Sequence, residues 1–337
     1  MDKNKIKLTS AEIASLWSTY IQNTATRCFY KHFLQGLGDP EIKPIVQEAL
    51  TLSEEFVLKI KEIFEAENFP LPKGFSDEDN NFSAPALFSD LFALSFVYRG
   101  GQMIMVYYAD ALSKVGRQDI VELYSDCLTK TVSLYKKSLN AMLEKGTYDR
   151  PPKMEYPQQA SIIKQEPSLI GNWFGDSRPL NAIELSELFF AIERKGIGLV
   201  LIMGLLQASK DQEIKEFLFK GKKLSQKQID QFNKFLKMND GMEIHPVTME
   251  VTNSTVSPFS ERLMLFFISA SNQIGIQAMA TALSVSMRSD LAVKYAKFIA
   301  EIITFADEGR DLLIKRGWLE QPPLSADRNK LYNQTNL

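Results

Sequence analysis

Few residues of this chain are of types and spacings that could hold a metal or move a proton. There are two histidines, His32 and His245, and two cysteines, Cys28 and Cys127. A carboxylate-bridged pair of metal ions inside a helical protein needs a glutamate from each of two helices. It also needs a Glu-x-x-His pair from each of two others, so that imidazoles hold the ions the carboxylates bridge. Three residues before His32 stands Phe29, and three before His245 stands Met242. No acid lies between Glu12 and Asp39, and none between Asp90 and Asp110. In the second half Glu193 and Glu301 fall within helical patterns, but their partners are missing. No standard dimetal centre is expected, and no metal or cofactor. The cysteines have no metal-ligand spacing. They read as buried thiols of a reducing compartment, without a disulfide between them.

Nucleotide, hydrolase and metalloprotease signatures are equally lacking: there is no Gly-x-x-x-x-Gly-Lys loop, Gly-x-Ser-x-Gly elbow or His-Glu-x-x-His helix. What remains is a short set of polar residues in apolar surroundings. Gln102 and Gln273 stand in the middle of otherwise apolar stretches. A buried amide needs partners, or costs about 1–3 kcal/mol. They are expected to fix helix register by an interhelical hydrogen bond or to line a small cavity. Gly100 and Gly101 beside Gln102 would let another helix or a ligand come close. His32, near the end of an apolar helix, is expected to be packed and hydrogen-bonded; with Gln102 and Gln273 it is the candidate ligand-binding set. Glu12 and Glu184 read as capping acids. Arg117 and Arg288 are expected to pair with nearby acids or to bind the end of the opposite hairpin.

The elements that must position these residues are helices, and they occur twice. Leu8, Glu12, Leu16, Leu34, Gln35, Asp39 and Ile42 recur 172 residues on (180 − 8) as Leu180, Glu184, Leu188, Leu206, Gln207, Asp211 and Ile214. From Phe88 the shift is 171 (259 − 88). Phe88, Ser89, Gln102, Arg117, Asp119 and Tyr124 return as Phe259, Ser260, Gln273, Arg288, Asp290 and Tyr295. A register held across the whole chain with a single one-residue change is a duplication of a domain. Within each copy the apolar residues return at three and four, as in Ile42, Ile45, Ala49, Leu52, Phe56, Ile60 and Ile63, the stripe of a helix with one buried face.

Capping boxes at Thr9–Glu12 and Asn181–Glu184, Asp39 before Pro40, and Gly146 and Gly317 after a basic residue mark the ends. They place helices over 9–36, 39–67, 85–113 and 117–145, then 181–208, 211–239, 258–284 and 287–315. The third helix of each copy is apolar nearly all round and is expected to be buried on most sides. Short turns make helices one and two, and three and four, antiparallel hairpins. The long connection between helices two and three, Asn68 to Ala84, can cross a bundle. The expected fold is all-α: tandem up-down four-helix bundles with the ferritin-like long crossover between helices 2 and 3. Residues 1–150 form the first bundle, 151–179 a proline-rich linker, 180–324 the second bundle and 325–337 a polar tail. In the linker, Ile170-Gly171-Asn172-Trp173-Phe174-Gly175 is expected to pin against one bundle, the alternative being a partner-docking patch.

Composition narrows the partners. With 39 basic against 41 acidic residues there is no electrostatic reason to expect nucleic acid or an anionic membrane. Met1 to Ser10 lacks the apolar core of a secretory signal, and Gly196 to Ala208, the longest apolar run, falls short of the ~20 residues of a membrane span. A cytoplasmic protein is expected. A protein partner is the class left open, and the two copies could pack on each other as an intramolecular pseudo-dimer through their third helices.

Several segments resemble one family. They are Leu8-Thr9-Ser10-Ala11-Glu12-Ile13 with Leu16-Trp17, Trp173-Phe174-Gly175-Asp176 with Arg178-Pro179-Leu180-Asn181, and Arg316-Gly317-Trp318-Leu319-Glu320-Gln321-Pro322-Pro323. They look like an uncharacterised family from Bacillus and its relatives, of tandem ferritin-like domains, in which some relatives carry the label "putative spore coat protein". The resemblance implies a fold and a setting, with spore association, and no activity or site residues. The favoured expectation is therefore a non-enzymatic structural or interaction protein linked to sporulation or stress. The alternative is a carrier of a small apolar ligand inside the bundles.

Overall fold

A computed structural model describes residues 6–162, 178–237, 243 and 251–334. The first copy holds α1 (Ser10–Gly36), α2 (Ile42–Ala66), α3 (Asp90–Leu112) and α4 (Gln118–Glu144). The second holds α5 (Ala182–Ala208), α6 (Gln212–Lys237), α7 (Glu261–Val285) and α8 (Ser289–Lys315). A short α9 (Arg328–Gln334) follows, within the segment expected to be a polar tail. The aromatic linker motif Ile170–Gly175 and His245 lie outside the described residues.

The helix ends follow their chemistry. Thr9 Oγ1 accepts from Glu12 N at 3.3 Å while Glu12 Oε2 accepts from Thr9 N at 2.8 Å. Asn181 and Glu184 repeat the box at 2.9 and 3.1 Å. At the far ends Gly146 and Gly317 take φ of +65° and +66°. This left-handed step lets Thr147 N reach Met142 O and Trp318 N reach Leu313 O, both at 2.9 Å.

Within each copy, hairpin is tied to hairpin by carboxylates. Glu12 Oε1 accepts from the backbone N–H of Gly116 (3.2 Å) and Arg117 (2.8 Å), in the α3–α4 turn. Glu184 Oε1 does the same to Met287 (3.0 Å) and Arg288 (2.9 Å). At the other end Asp90 Oδ2 takes Gly38 N (3.1 Å) and Asp39 N (2.8 Å) in the α1–α2 turn. Glu261 Oε1 takes Lys210 N (2.6 Å) and Asp211 N (3.1 Å). Each acid sits in the first turn of one hairpin and satisfies the exposed N–H groups of the other. Glu12 and Glu184 are therefore more than capping acids: each closes its own helix and the opposite turn at once.

The two copies meet through their crossovers. Asn80 bridges Phe259 and Phe88 bridges Val251, both antiparallel. Asn81 N donates to Pro258 O at 2.8 Å and Thr252 N to Leu87 O at 3.0 Å. Under the shift of 171, each bond maps onto the other, so the contact has a two-fold character. Beneath it lies one continuous core. Phe29, Phe33, Phe92 and Phe96 of the first copy share it with Leu205, Phe259 and Leu263 of the second. The Phe29 ring lies 4.2 Å from that of Phe259 and 4.3 Å from that of Phe267. Separate cores fill the distal ends, around Leu16, Ile60 and Tyr124 in one copy and Leu188, Phe232 and Tyr295 in the other.

This seam explains two departures from the expected elements. The third helices start later than 85 and 258, because Ser89 and Ser260 cap them and the residues before the caps are taken up in the bridges. Nor are these helices buried on most sides along their length. Phe92 to Arg99 of α3 are all buried where they run through the shared core. Further along, α7 shows Ser271, Gln273, Gln277 and Thr281 to solvent. By length and composition alone α7 could cross a membrane; its apolar content supplies Leu263, Met264, Leu265 and Ile268 to the shared core.

Candidate functional site

The three residues singled out from the sequence lie apart in role. His32 is 2% exposed. Its Nε2 accepts from Leu87 N at 3.2 Å, and its ring meets Phe259 edge-on at 5.2 Å. Burial pushes its pKa down to about 4, against a weaker upward pull from Gln35, so it is a neutral acceptor that orders the crossover. Its counterpart Gly204 answers a different need. A Cβ there would come to 2.5 Å from the Phe88 ring, so a residue with a side chain would force that ring to move.

Gln102 does not bridge helices. Its Nε2 donates to Tyr98 OH at 2.8 Å, one turn back on α3, and its Oε1 is buried without a partner. Gln273 is exposed, so no buried amide of the expected kind stands there. Of the two glycines, Gly101 serves packing: a Cβ would touch Tyr135 of α4 at 3.4 Å.

The polar group that sequence reasoning did not bring forward as a pair is the ion pair across the seam. Arg99 of α3 and Glu193 of α5 meet at 2.9 Å, and both side chains are 2% exposed. Ser95 Oγ also accepts from Arg99, and the guanidinium lies 5.7 Å from the Tyr98 ring centroid. Burial raises the Glu193 carboxyl above its ordinary range, with Arg99 the main opposing charge. Their counterparts in the repeat are Ala270 and Ile21, so the pair breaks the internal symmetry. Arg117 and Arg288 do as expected: each forks its own helix-start acid, Asp119 at 2.8 Å and Asp290 at 3.1 and 2.7 Å. Each also reaches a backbone carbonyl before the first helix of its copy, Ile6 O and Arg178 O.

One cavity of about 30 Å³ lies among Asn23, Ser53, Phe56, Gly101, Ile104 and Tyr108, room for about one water. A surface cleft of about 670 Å³ runs between α2 and α4. Among its charges, Lys59 pairs with Asp126 at 2.7 Å and Arg117 with Asp119 at 2.8 Å. Among the described residues no three His, Cys, Asp or Glu side chains converge as a metal site would require. Cys28 and Cys127 are buried free thiols. Burial raises both thiols, Cys28 to about 12, so neither is a thiolate at neutral pH.

Comparison with known proteins yields a family. A profile described as "Protein of unknown function (DUF3231)" matches residues 1–160 and again 168–331, one match per repeat. No curated protein matches the chain. Among solved structures, a protein of Bacillus halodurans C-125 described as a "putative spore coat protein" aligns at 17% identity with a TM-score of 0.42. The alignment covers 44% of this chain and 98% of that one.

Proposed function

The chain belongs to the DUF3231 family of proteins of unknown function, and on that footing we propose that it is a non-enzymatic, ferritin-like tandem bundle with a structural or interaction role. The observation that carries this reading is the way the first bundle's interior is used. Where a dimetal protein sets acids and imidazoles, Thr19, Asn23, Tyr108 and Tyr124 hydrogen-bond among themselves, leaving a cavity of about 30 Å³. That space is also too small for the apolar ligand of a carrier. The one histidine described, His32, is occupied in ordering the crossover. A setting in sporulation or stress survival belongs to the same proposal and rests on the sequence resemblance.

Elemental analysis of freshly purified protein tests the chemical half. Less than a tenth of an equivalent of iron, manganese or zinc is expected, and a stoichiometric metal would overturn it. Comparing spores and stress survival of a strain lacking the gene with its parent tests the setting. Altered spore resistance or coat composition is expected, and indistinguishable behaviour would remove that part.

A further inference from the structure

The charges of the chain nearly balance, but they are not evenly spread. In the first copy the distal stretches of α2 and α4, residues 54–65 and 117–130, carry seven acids and four bases. The corresponding stretches of α6 and α8, residues 226–237 and 288–301, carry three acids and six bases. The reversal runs position by position. Under the shifts of 172 and 171, Glu62 and Glu65 correspond to Lys234 and Lys237, and Asp126 corresponds to Lys297.

Both faces are tied together in the same way. Across the first, Lys59 reaches Asp126 at 2.7 Å and Lys130 reaches Glu55 at 2.6 Å. Across the second, Lys227 reaches Glu301 at 2.7 Å, and Lys294 Nζ donates to Gln231 Oε1 at 3.2 Å. These contacts use up part of the charge, and what is left over has opposite sign on the two faces. Glu62 and Glu122 line the cleft of about 670 Å³ between α2 and α4, and both are exposed. Neither has an ion-pair partner among the described residues; Glu122 accepts from the neutral Gln118 amide at 2.8 Å. On the other face Lys234 and Lys297 are exposed, and neither has an ion-pair partner among the described residues. Lys234 stands three residues after Gln231, and Lys297 three after Lys294, so both lie within a turn of the α6–α8 contact.

We propose that the α2–α4 face of one copy of the protein docks on the α6–α8 face of the next, so that the chain associates with itself head to tail. An anionic partner would suit the lysine face alone, and a cationic one the acidic face alone. A second copy answers both with one pair of surfaces, and complementary potentials of this kind select partners. The duplication also gives the two faces the same helix pair, so the free acids of one and the free lysines of the other stand on matching frameworks. The contact joins two different surfaces. Each added copy therefore presents one of each again, and growth leads to a ring or an open chain. Exposed ion pairs contribute little singly, so the association is weak and shows itself at high protein concentration. The inference rests on the interaction role proposed above and names its partner.

Sedimentation velocity of the purified full chain over a range of protein concentrations is the test. It is run in about 0.01 M and about 1 M sodium chloride, between which the screening length falls from about 30 Å to about 3 Å. In low salt the average mass is expected to rise with concentration above that of a single chain, and in high salt to remain there. Glu62→Gln with Glu122→Gln, and separately Lys234→Gln with Lys297→Gln, are each expected to weaken the association about tenfold or more. Mixed, these two variants retain one intact face each, of opposite kind, and are expected to form a complex that stops at two chains. A wild type that stays monomeric in low salt overturns the proposal without recourse to any variant. Association that high salt or either double variant leaves unchanged overturns it too, because the contact then lies elsewhere, and so does a mixture that does not pair. None of these outcomes touches the metal content or the spore phenotype on which the wider reading is tested, so the two can fail separately.

Discussion

At the scale of the residue, His32 shows how a group suited to chemistry can be used for architecture. A protonated imidazole could not accept from Leu87 N, so the hydrogen bond and the burial both demand the neutral form. The consequence is a pH dependence of defined sign. The folded-state pKa of about 4 lies below the ~6.5 of an exposed histidine. As pH falls from about 6.5 to 4 the unfolded chain takes up a proton that the folded chain refuses, and stability is lost across that window. The full loss is on the order of 3 kcal/mol. His32→Gln keeps an acceptor near Leu87 N and does not titrate. In urea unfolding from pH 7 to 4, wild type is expected to lose stability relative to this variant progressively, and parallel profiles would show that His32 does not hold its proton off. Sequence reasoning identified His32 as packed and hydrogen-bonded, from its place in an apolar helix. It could not identify the acceptor role, because Leu87 is 55 residues away in the chain. Gln273 was legible in principle: with Gln277, Thr281 and Ser284 it marks a polar stripe at helical spacing on α7. The apolar background of that helix hid the stripe.

At the scale of the element, helices and their ends were written locally and could be read locally. Capping boxes, glycine stops and apolar periodicity involve residues within one or two turns of each other. What joins hairpin to hairpin was hidden by the same clarity. A capping box already accounts for Glu12 and Glu184, so nothing in the sequence asks for a second role. Yet Glu184 is 1% exposed and accepts from Asn181, Met287 and Arg288 N–H groups and from both Arg178 NH groups at 2.8 Å. Burial alone would raise its carboxyl, but Arg178 and the N–H donors together hold it below the ordinary range. Its stabilisation is therefore present above the ordinary carboxyl range and is lost as pH falls through the lowered value. Glu184→Gln leaves one acceptor oxygen where two serve and turns an amide N–H toward donors. It is expected to cost about 2–3 kcal/mol in urea unfolding at pH 7. Glu12→Gln is expected to cost less, because Glu12 is partnered by a threonine hydroxyl in place of an arginine. Equal losses would mean that the arginine adds nothing.

At the scale of the whole molecule, the two bundles behave as one body because their crossovers pair and Phe29, Phe92, Phe259 and Leu263 lie in one core. The duplication was plain in the sequence, but the seam was not. Apolar residues on a helix look alike whether they face their own bundle or its neighbour, and single bridges leave no alternating strand pattern. A shared core of this kind predicts one cooperative unfolding transition for both bundles in calorimetry. The buried Arg99–Glu193 pair makes the coupling testable. Removing one partner strands a charge in the seam, so Arg99→Ala is expected to cost about 3–5 kcal/mol. The double variant Arg99→Ala with Glu193→Ile installs the residue types of Ala270 and Ile21, the counterparts in the repeat. Replacing a buried ion pair by apolar residues is often neutral or stabilising, so the double variant is expected to recover most of the loss. If the bundles are coupled, the single variant lowers the midpoint of the one transition as a whole. If they are independent, the trace splits and the half that keeps its midpoint identifies the bundle that does not depend on the seam.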